Sequence, residues 1–155
     1  MLRSARPYYV VALLCCILVQ GPGYAQNKRT LDSLQNSLKA ETNNVQKAKI
    51  LNGLSLEYKN SNQYKEVITY ANQARLLLEN LGSQNADEKE EVQKVLANSY
   101  ANLGDAYLNR GDYDVALNNF KKSLAIHESV NDQKNAARDY NSIGYAYEKK
   151  GNFHE

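Results

Sequence analysis

Apolar positions fall on helical spacing along most of the chain. Between residues 87 and 109 they are Val92, Val95, Leu96, Tyr100, Leu103, Ala106 and Tyr107. Steps of three and four put these side chains on one helix face. A second run holds Tyr113, Ala116, Leu117, Phe120, Leu124 and Ile126. Gly111 separates the two, where a left-handed residue can end a helix without a Cβ penalty. Asp112 is then placed to cap the second helix, and Asn85 with Glu88 to cap the first. The pattern predicts two antiparallel helices joined by a tight turn. The same turn is written three times, as Asn62-Gln63-Tyr64, Gly111-Asp112-Tyr113 and Gly151-Asn152-Phe153. Asn is the next best residue after Gly for a left-handed position.

The helical pair is a repeating unit. Tyr100, Leu103, Gly104, Ala106, Tyr107, Gly111 and Tyr113 recur forty residues later as Tyr140, Ile143, Gly144, Ala146, Tyr147, Gly151 and Phe153. An earlier unit lies forty-nine residues upstream, where Leu51, Leu54, Ser55, Tyr58, Tyr64, Val67, Ala71 and Ala74 match Tyr100, Leu103, Gly104, Tyr107, Tyr113, Ala116, Phe120 and Ser123. The extra residues are expected at the junction, around Gly82 to Lys89. A fixed period of this size marks an all-α solenoid of about 2.5 units, in which each unit buries its apolar face against its neighbours. Gly104 and Gly144 sit in mid-helix, where Gly costs about 1 kcal/mol relative to Ala. That cost points to a partner helix approaching too closely for a side chain, with Ser55 doing the same work in the first unit. Leu31, Leu34 and Leu38 predict a short amphipathic helix within residues 26–46 that covers the open end of the stack.

Tyr100-x2-Leu103-Gly104-x2-Tyr107 followed by Ala116-x3-Phe120 resembles the tetratricopeptide repeat. Tyr140-x2-Ile143-Gly144-x2-Tyr147 repeats its first half, and Leu51-x2-Leu54-Ser55-x2-Tyr58 with Val67-x3-Ala71 is a looser copy. The resemblance covers residues 47–155, with units at about 48–82, 97–130 and an incomplete 137–155. Its period is forty rather than the usual 34, and Glu79 and Glu128 replace the usual proline at the end of the second helix. These departures resemble the extended class of exported and signalling proteins of bacteria. HEAT-type repeats share the period but lack the Leu-Gly-x2-Tyr signature. The resemblance implies a right-handed superhelix whose first helices line a concave groove for an extended peptide or protein segment. Carried over by position, that face presents Lys49, Asn52 and Lys59 from the first unit. Asn98, Asn102, Asp105 and Asn109 follow from the second, and Arg138, Asn141, Tyr145 and Lys149 from the third. An amide side chain offers both a donor and an acceptor, so such a ladder can read a peptide backbone with little demand on its sequence.

Residues 1–25 read as a secretory signal peptide. Arg3 and Arg6 precede an apolar run from Tyr8 to Val19, Gly21-Pro22-Gly23 breaks the helix, and Gly23-Tyr24-Ala25 supplies the small residues for cleavage before Gln26. The apolar run is short of the roughly 20 residues of a membrane span. Leu14 before Cys15 is a poor fit to a lipid-modified cysteine. Periplasmic or secreted localisation is therefore expected. Cys15 and Cys16 are the chain's two cysteines, so cleavage would leave no thiol for disulfides, metal sites or nucleophilic chemistry. Arg3 and Arg6 also account for the whole excess of 19 Lys/Arg over 17 Asp/Glu. The remainder is near neutral, which gives no electrostatic case for nucleic acid.

Little else points to chemistry. His127 and His154 are the chain's two histidines and read as solvated helix-surface residues, so no metal or other cofactor is expected. Glu88, Glu90 and Glu91 suit a helix N-terminus. The signature tyrosines Tyr58, Tyr64, Tyr100, Tyr107, Tyr113, Tyr140 and Tyr147 are expected in the core. No phosphate loop, dinucleotide fingerprint or nucleophile elbow is present. The expected function is a non-enzymatic, exported scaffold or adaptor that binds a protein or peptide in its groove. The alternative is the N-terminal sensory region of a membrane-bound histidine kinase or transcriptional regulator, with a membrane tether beyond Glu155. An enzyme would need residues that this stretch lacks. The half-unit at the C-terminal end is expected to want a partner helix, through more chain or self-association.

Overall fold

The computed structural model describes residues 22–81 and 86–151, with the backbone alone for 22–26, 86 and 87. The described residues form six helices and no strand: α1 (Pro22–Ala40), α2 (Asn44–Asn60), α3 (Tyr64–Glu79), α4 (Ala86–Arg110), α5 (Tyr113–Ser129) and α6 (Gln133–Gly151). Each helix packs on the next in sequence. The first helices of successive units also touch, α2 on α4 closely and α4 on α6 only slightly. The result is an all-α solenoid of helical hairpins, α2–α3 and α4–α5, followed by α6 as the first helix of a third unit.

One turn joins the helices within each hairpin and recurs between α5 and α6. Asn62, Gly111 and Asn131 have φ of 57°, 86° and 55°. The residue after each donates its N–H five residues back: Gln63 to the Tyr58 carbonyl (3.0 Å), Asp112 to Tyr107 (2.9 Å) and Asp132 to His127 (2.8 Å). The left-handed residue itself bonds three back, to Lys59, Leu108 and Glu128. This pair of bonds satisfies carbonyls that a helix end leaves open. The Asn131 turn carries no Gly and is not among the three expected. Of the third expected turn, Gly151 is the last residue of α6, and 152 and 153 lie outside the described residues.

Capping departs from expectation. The Asp112 side chain caps nothing and lies 3.4 Å from Arg110 Nε instead. Asp132 does cap α6, accepting from the Asn135 N–H at 3.2 Å, and Asn43 caps α2 through the Gln46 N–H. Asn85 lies outside the described residues. Pro22 and Gly23 are the first described residues of α1, so they lie in helix rather than in the break expected there. The extra residues between the first two units are largely helix. Tyr100 is fifteenth in α4, whereas its equivalents Leu51 and Tyr140 are eighth in α2 and α6. The added turns bury Val92 in a core with Val45, Ala48, Leu51 and Leu78. A second core gathers Ala116, Leu117, Phe120 and Ala146. α1 packs on α2: Leu38 joins the first core, and Leu34 lies 3.7 Å from the Cβ position of Gly53.

At Gly104 α4 and α5 approach closely. A Cβ built there would meet three carbons of the Phe120 ring at 2.5 to 2.9 Å. At the matched place in the first unit the pair is Ser55 and Ala71, both buried, so a smaller partner leaves room for a larger residue. Gly144 has nothing within 4 Å of its Cβ position.

The two glutamates in place of proline bridge successive units. Tyr100 Oη donates to Glu79 Oε1 at 2.5 Å, and Tyr140 Oη to Glu128 Oε1 at 2.6 Å. Each tyrosine opens the signature of a unit, and each glutamate ends the unit before it. Proline could not make this bond. Arg75 Nη1 completes the first bridge on Glu79 Oε2 at 2.5 Å. Burial raises the Glu79 carboxyl pKa, but the Tyr100 and Arg75 hydrogen bonds outweigh it and leave the pKa below its ordinary value. Burial, then the glutamate, raises the Tyr100 phenol.

The signature tyrosines form the edge of the core rather than its interior. Tyr58, Tyr64, Tyr100, Tyr107 and Tyr113 are half-buried. Tyr140 and Tyr147 remain 57% and 50% exposed, because the face of α6 that they share with Gly144 carries no helix among the described residues.

Candidate functional site

The first helices carry polar side chains at i, i+3 and i+4 on the face opposite their hairpin partners. Between α2, α4 and α6 this face encloses a cleft of about 280 Å³, floored by Phe120 and His127 of α5. The slight contact between α4 and α6 is what opens it down to α5. Leu56, 45% exposed, supplies an apolar wall. Asn98, Asn102, Asn135 and Ser142 supply amides and a hydroxyl.

Of the eleven groove residues named from the sequence, Asn52, Lys59, Asn98, Asn102, Asp105 and Arg138 line this cleft. Lys49 lies beside it in a shallower depression with Glu90, Glu91 and Lys94. Asn109, Asn141, Tyr145 and Lys149 are not among its lining.

Several of these side chains are already engaged. Asn52 Nδ2 donates to the Val95 carbonyl at 3.0 Å, and its Oδ1 accepts from Ser99 Oγ at 3.0 Å. That amide joins α2 to α4. Lys59 Nζ pairs with Asp105 Oδ2 at 2.7 Å between the same helices, and Lys49 pairs with Glu91. Asn109 bonds the Asp105 carbonyl of its own helix at 2.8 Å. Lys149 sits 5.0 Å from the centre of the Tyr145 ring. Asn98 and Asn141 are exposed on their helices. Arg138 Nη1 donates to Asn135 Oδ1 at 3.3 Å.

The least expected residue is His127. It is 1% exposed, not solvated, and Asp139 is 3% exposed. His127 Nδ1 lies 2.7 Å from Asp139 Oδ2, and Ser123 Oγ donates to the same oxygen at 2.8 Å. His127 Nε2 is buried with no hydrogen-bond partner. Ser123 lies on the Nδ1 side, 3.4 Å away. A nucleophile and its base would place the hydroxyl on Nε2, so the three residues are not arranged for acyl transfer. The sequence signal for them was faint: Ser123 and His127 are one helical turn apart, and Asp139 shares a stripe with Asn135 and Ser142.

Among the described residues, no group of His, Cys, Asp and Glu could hold a metal ion, and no helix is long and apolar enough to cross a membrane. Comparison with curated proteins and with solved structures returns no significant match. A family model described as tetratricopeptide repeat matches residues 95–155, which run from within α4 through α5 and α6. The α2–α3 hairpin repeats that architecture ahead of the match, with the same turn and the same close-approach position, and the match supports tetratricopeptide repeats over residues 95–155 of the chain.

Proposed function

We infer that the chain is a protein-interaction scaffold whose partner lies as an extended segment along α2, α4 and α6. Repeats of this family bind protein partners. The observation that carries the reading here is the cleft itself. It sets an exposed Leu56 beside the Asn98 amide and the Arg138 guanidinium, and it is open to solvent. Apolar contact with a few polar groups that fix orientation is what a peptide site needs. Asn98, Asn102 and Arg138 are the contacts, while Asn52, Lys59 and Asp105 hold α2 against α4 and shape the walls. Export belongs to the same proposal and rests on the leader pattern of residues 1–25. Cleavage after Ala25 would keep Leu31, Leu34 and Leu38, so most of α1 would survive processing.

A photo-crosslinking residue at position 98, compared with one at Asn119 on α5, tests the site in cells expressing the protein. Crosslinks to one protein from position 98 and none from 119 are expected. Equal labelling from both would sink the reading. Amino-terminal sequencing of the mature chain should begin at Gln26, and a chain starting at Met1 would remove export.

The leader pattern ahead of the repeats supports a second reading, the sensory repeat region of a membrane-bound signalling protein. A natural stop codon after Glu155 would end it.

A further inference from the structure

α6 exposes one line of residues at heptad spacing. Gln133, Ala137, Tyr140, Gly144, Tyr147 and Gly151 follow one another in alternating steps of four and three, and all are exposed. Such steps lay side chains along a single seam of a helix. On α4 the matched glycine, Gly104, is covered by the Phe120 ring of α5. On α6 nothing lies within 4 Å of the Gly144 Cβ position, and the tyrosines on either side of it stand open.

We propose that this seam is the interface of a twofold dimer, in which α6 packs antiparallel on α6 of a second copy, with the axis level with Ser142. An axis at that level overlaps the helix along its whole length. It sets Tyr140 over the partner's Gly144, Tyr147 over the partner's Ala137, and Gln133 beside the partner's Gly151. Each large side chain meets a small one, as Phe120 meets Gly104 inside the chain. A depression of about 410 Å³ lies at Ala137, walled by Tyr140 of α6 and Glu128 of α5. The partner's Tyr147 is placed to fill it.

Charge selects a second copy as the occupant and fixes its direction. Lys134, Asn141 and Glu148 form the neighbouring line of α6, one residue beyond the seam, and all are exposed. Neither Lys134 nor Glu148 has an ion pair among the described residues. In the antiparallel pair Lys134 comes beside the partner's Glu148, and Asn141 beside the partner's Asn141. A parallel pair would instead set lysine on lysine and glutamate on glutamate, which repel. Along the other edge, Lys121 Nζ donates to Tyr147 Oη at 3.0 Å, and Tyr140 Oη donates to Glu128 Oε1 at 2.6 Å. The twofold axis carries the Lys121 of each copy toward the partner's Glu128. Unlike charges therefore meet along both edges of a tyrosine seam.

The pairing does not rest on the groove reading, and it leaves the groove open. Asn135, Arg138 and Ser142 line the cleft and lie on the side of α6 opposite the seam. A dimer would present two clefts running in opposite directions, and a partner with two binding segments would gain by avidity. One helix face and its edges is a contact at the small end of specific interfaces, so dissociation in the micromolar range is expected.

Sedimentation equilibrium of the full chain, from about 1 μM to about 1 mM, reads the pairing. Lys134→Glu and Glu148→Lys should each weaken the dimer about tenfold, because each turns attraction into repulsion at both symmetry-related pairs. The two together should restore it to within about threefold of the original. Gly144→Glu should give a monomer with unchanged helical circular dichroism, since its Cβ meets nothing within one copy. A chain that stays monomeric throughout the range, because another helix or another protein takes this face, overturns the proposal. So does a dimer that ignores the charge reversals, or one that the double reversal fails to restore.

Discussion

Gly104→Ala and Gly144→Ala are the same substitution at the same repeat position, and they should change stability in opposite directions. Both remove a helix-interior glycine, which by itself stabilises a helix by up to about 1 kcal/mol. At Gly144 the new methyl meets nothing within 4 Å, so that gain stands nearly alone. At Gly104 it meets the Phe120 ring at 2.5 to 2.9 Å, well inside contact distance. Phe120 is 1% exposed and held by Ala116, Leu117 and Ala146, so the ring cannot swing away. Overpacking of this kind costs about 1–3 kcal/mol, and three close contacts on a fixed ring put it at the upper end. The net expectation is a loss of about 1–2 kcal/mol for Gly104→Ala against a gain of up to about 1 for Gly144→Ala. Urea unfolding followed by helical circular dichroism reads both, through the midpoint at unchanged slope. Adding Phe120→Ala to Gly104→Ala recreates the small pair of the first unit and should show a favourable coupling in a double-mutant cycle. The close-approach argument fails if Gly104→Ala is as stabilising as Gly144→Ala, or if the two sites in the cycle are additive.

Asn52→Ala should cost about 1–2 kcal/mol through its two lost inter-helix hydrogen bonds. Asn98→Ala should leave stability within about 0.5 kcal/mol while weakening partner binding; thermal melts and binding isotherms separate the two. Asp139→Ala alone, measured by urea unfolding, should destabilise by about 1–3 kcal/mol, because it leaves Ser123 Oγ and His127 Nδ1 buried without their shared acceptor. Ser123→Ala, His127→Leu and Asp139→Ser together, which copy the buried Ala74, Leu78 and Ser99 of the matched positions, should be neutral or stabilising by about 1–4 kcal/mol. The Glu79 pKa is depressed in the folded chain, so its contribution is present above the ordinary value of 4.5 and lost as pH falls through the folded value. Tyr100 has a raised pKa, so its contribution is present below the ordinary 10.0 and lost as pH climbs through the folded value. Glu79→Gln should flatten the acid limb of a stability-against-pH curve; an unchanged limb would remove the bridge as its cause.

The sequence by itself determined the helices, their pairing into units, and the places where geometry forces a residue type. Period alone puts Leu51, Leu103 and Ala106 inward, because a helix has one face toward its neighbours whatever those neighbours are. Gly111 and Asn62 announce left-handed turns, since few residues adopt that backbone at low cost. Gly104 announces a close approach, since its cost in a helix needs a reason. What the tertiary structure alone decided is which polar groups meet. Asn52 reaches Val95 and Ser99 across more than forty residues, and Glu79 finds Tyr100 because α3 and α4 cross at that height. His127 looked solvated, because helical spacing marks its face but not what packs there. Asn131 turned without a glycine, and the extra residues before the second unit became helix. Each depends on the distance and rotation between packed helices. Those quantities come from the whole stack settling together, and no single stretch of chain carries them.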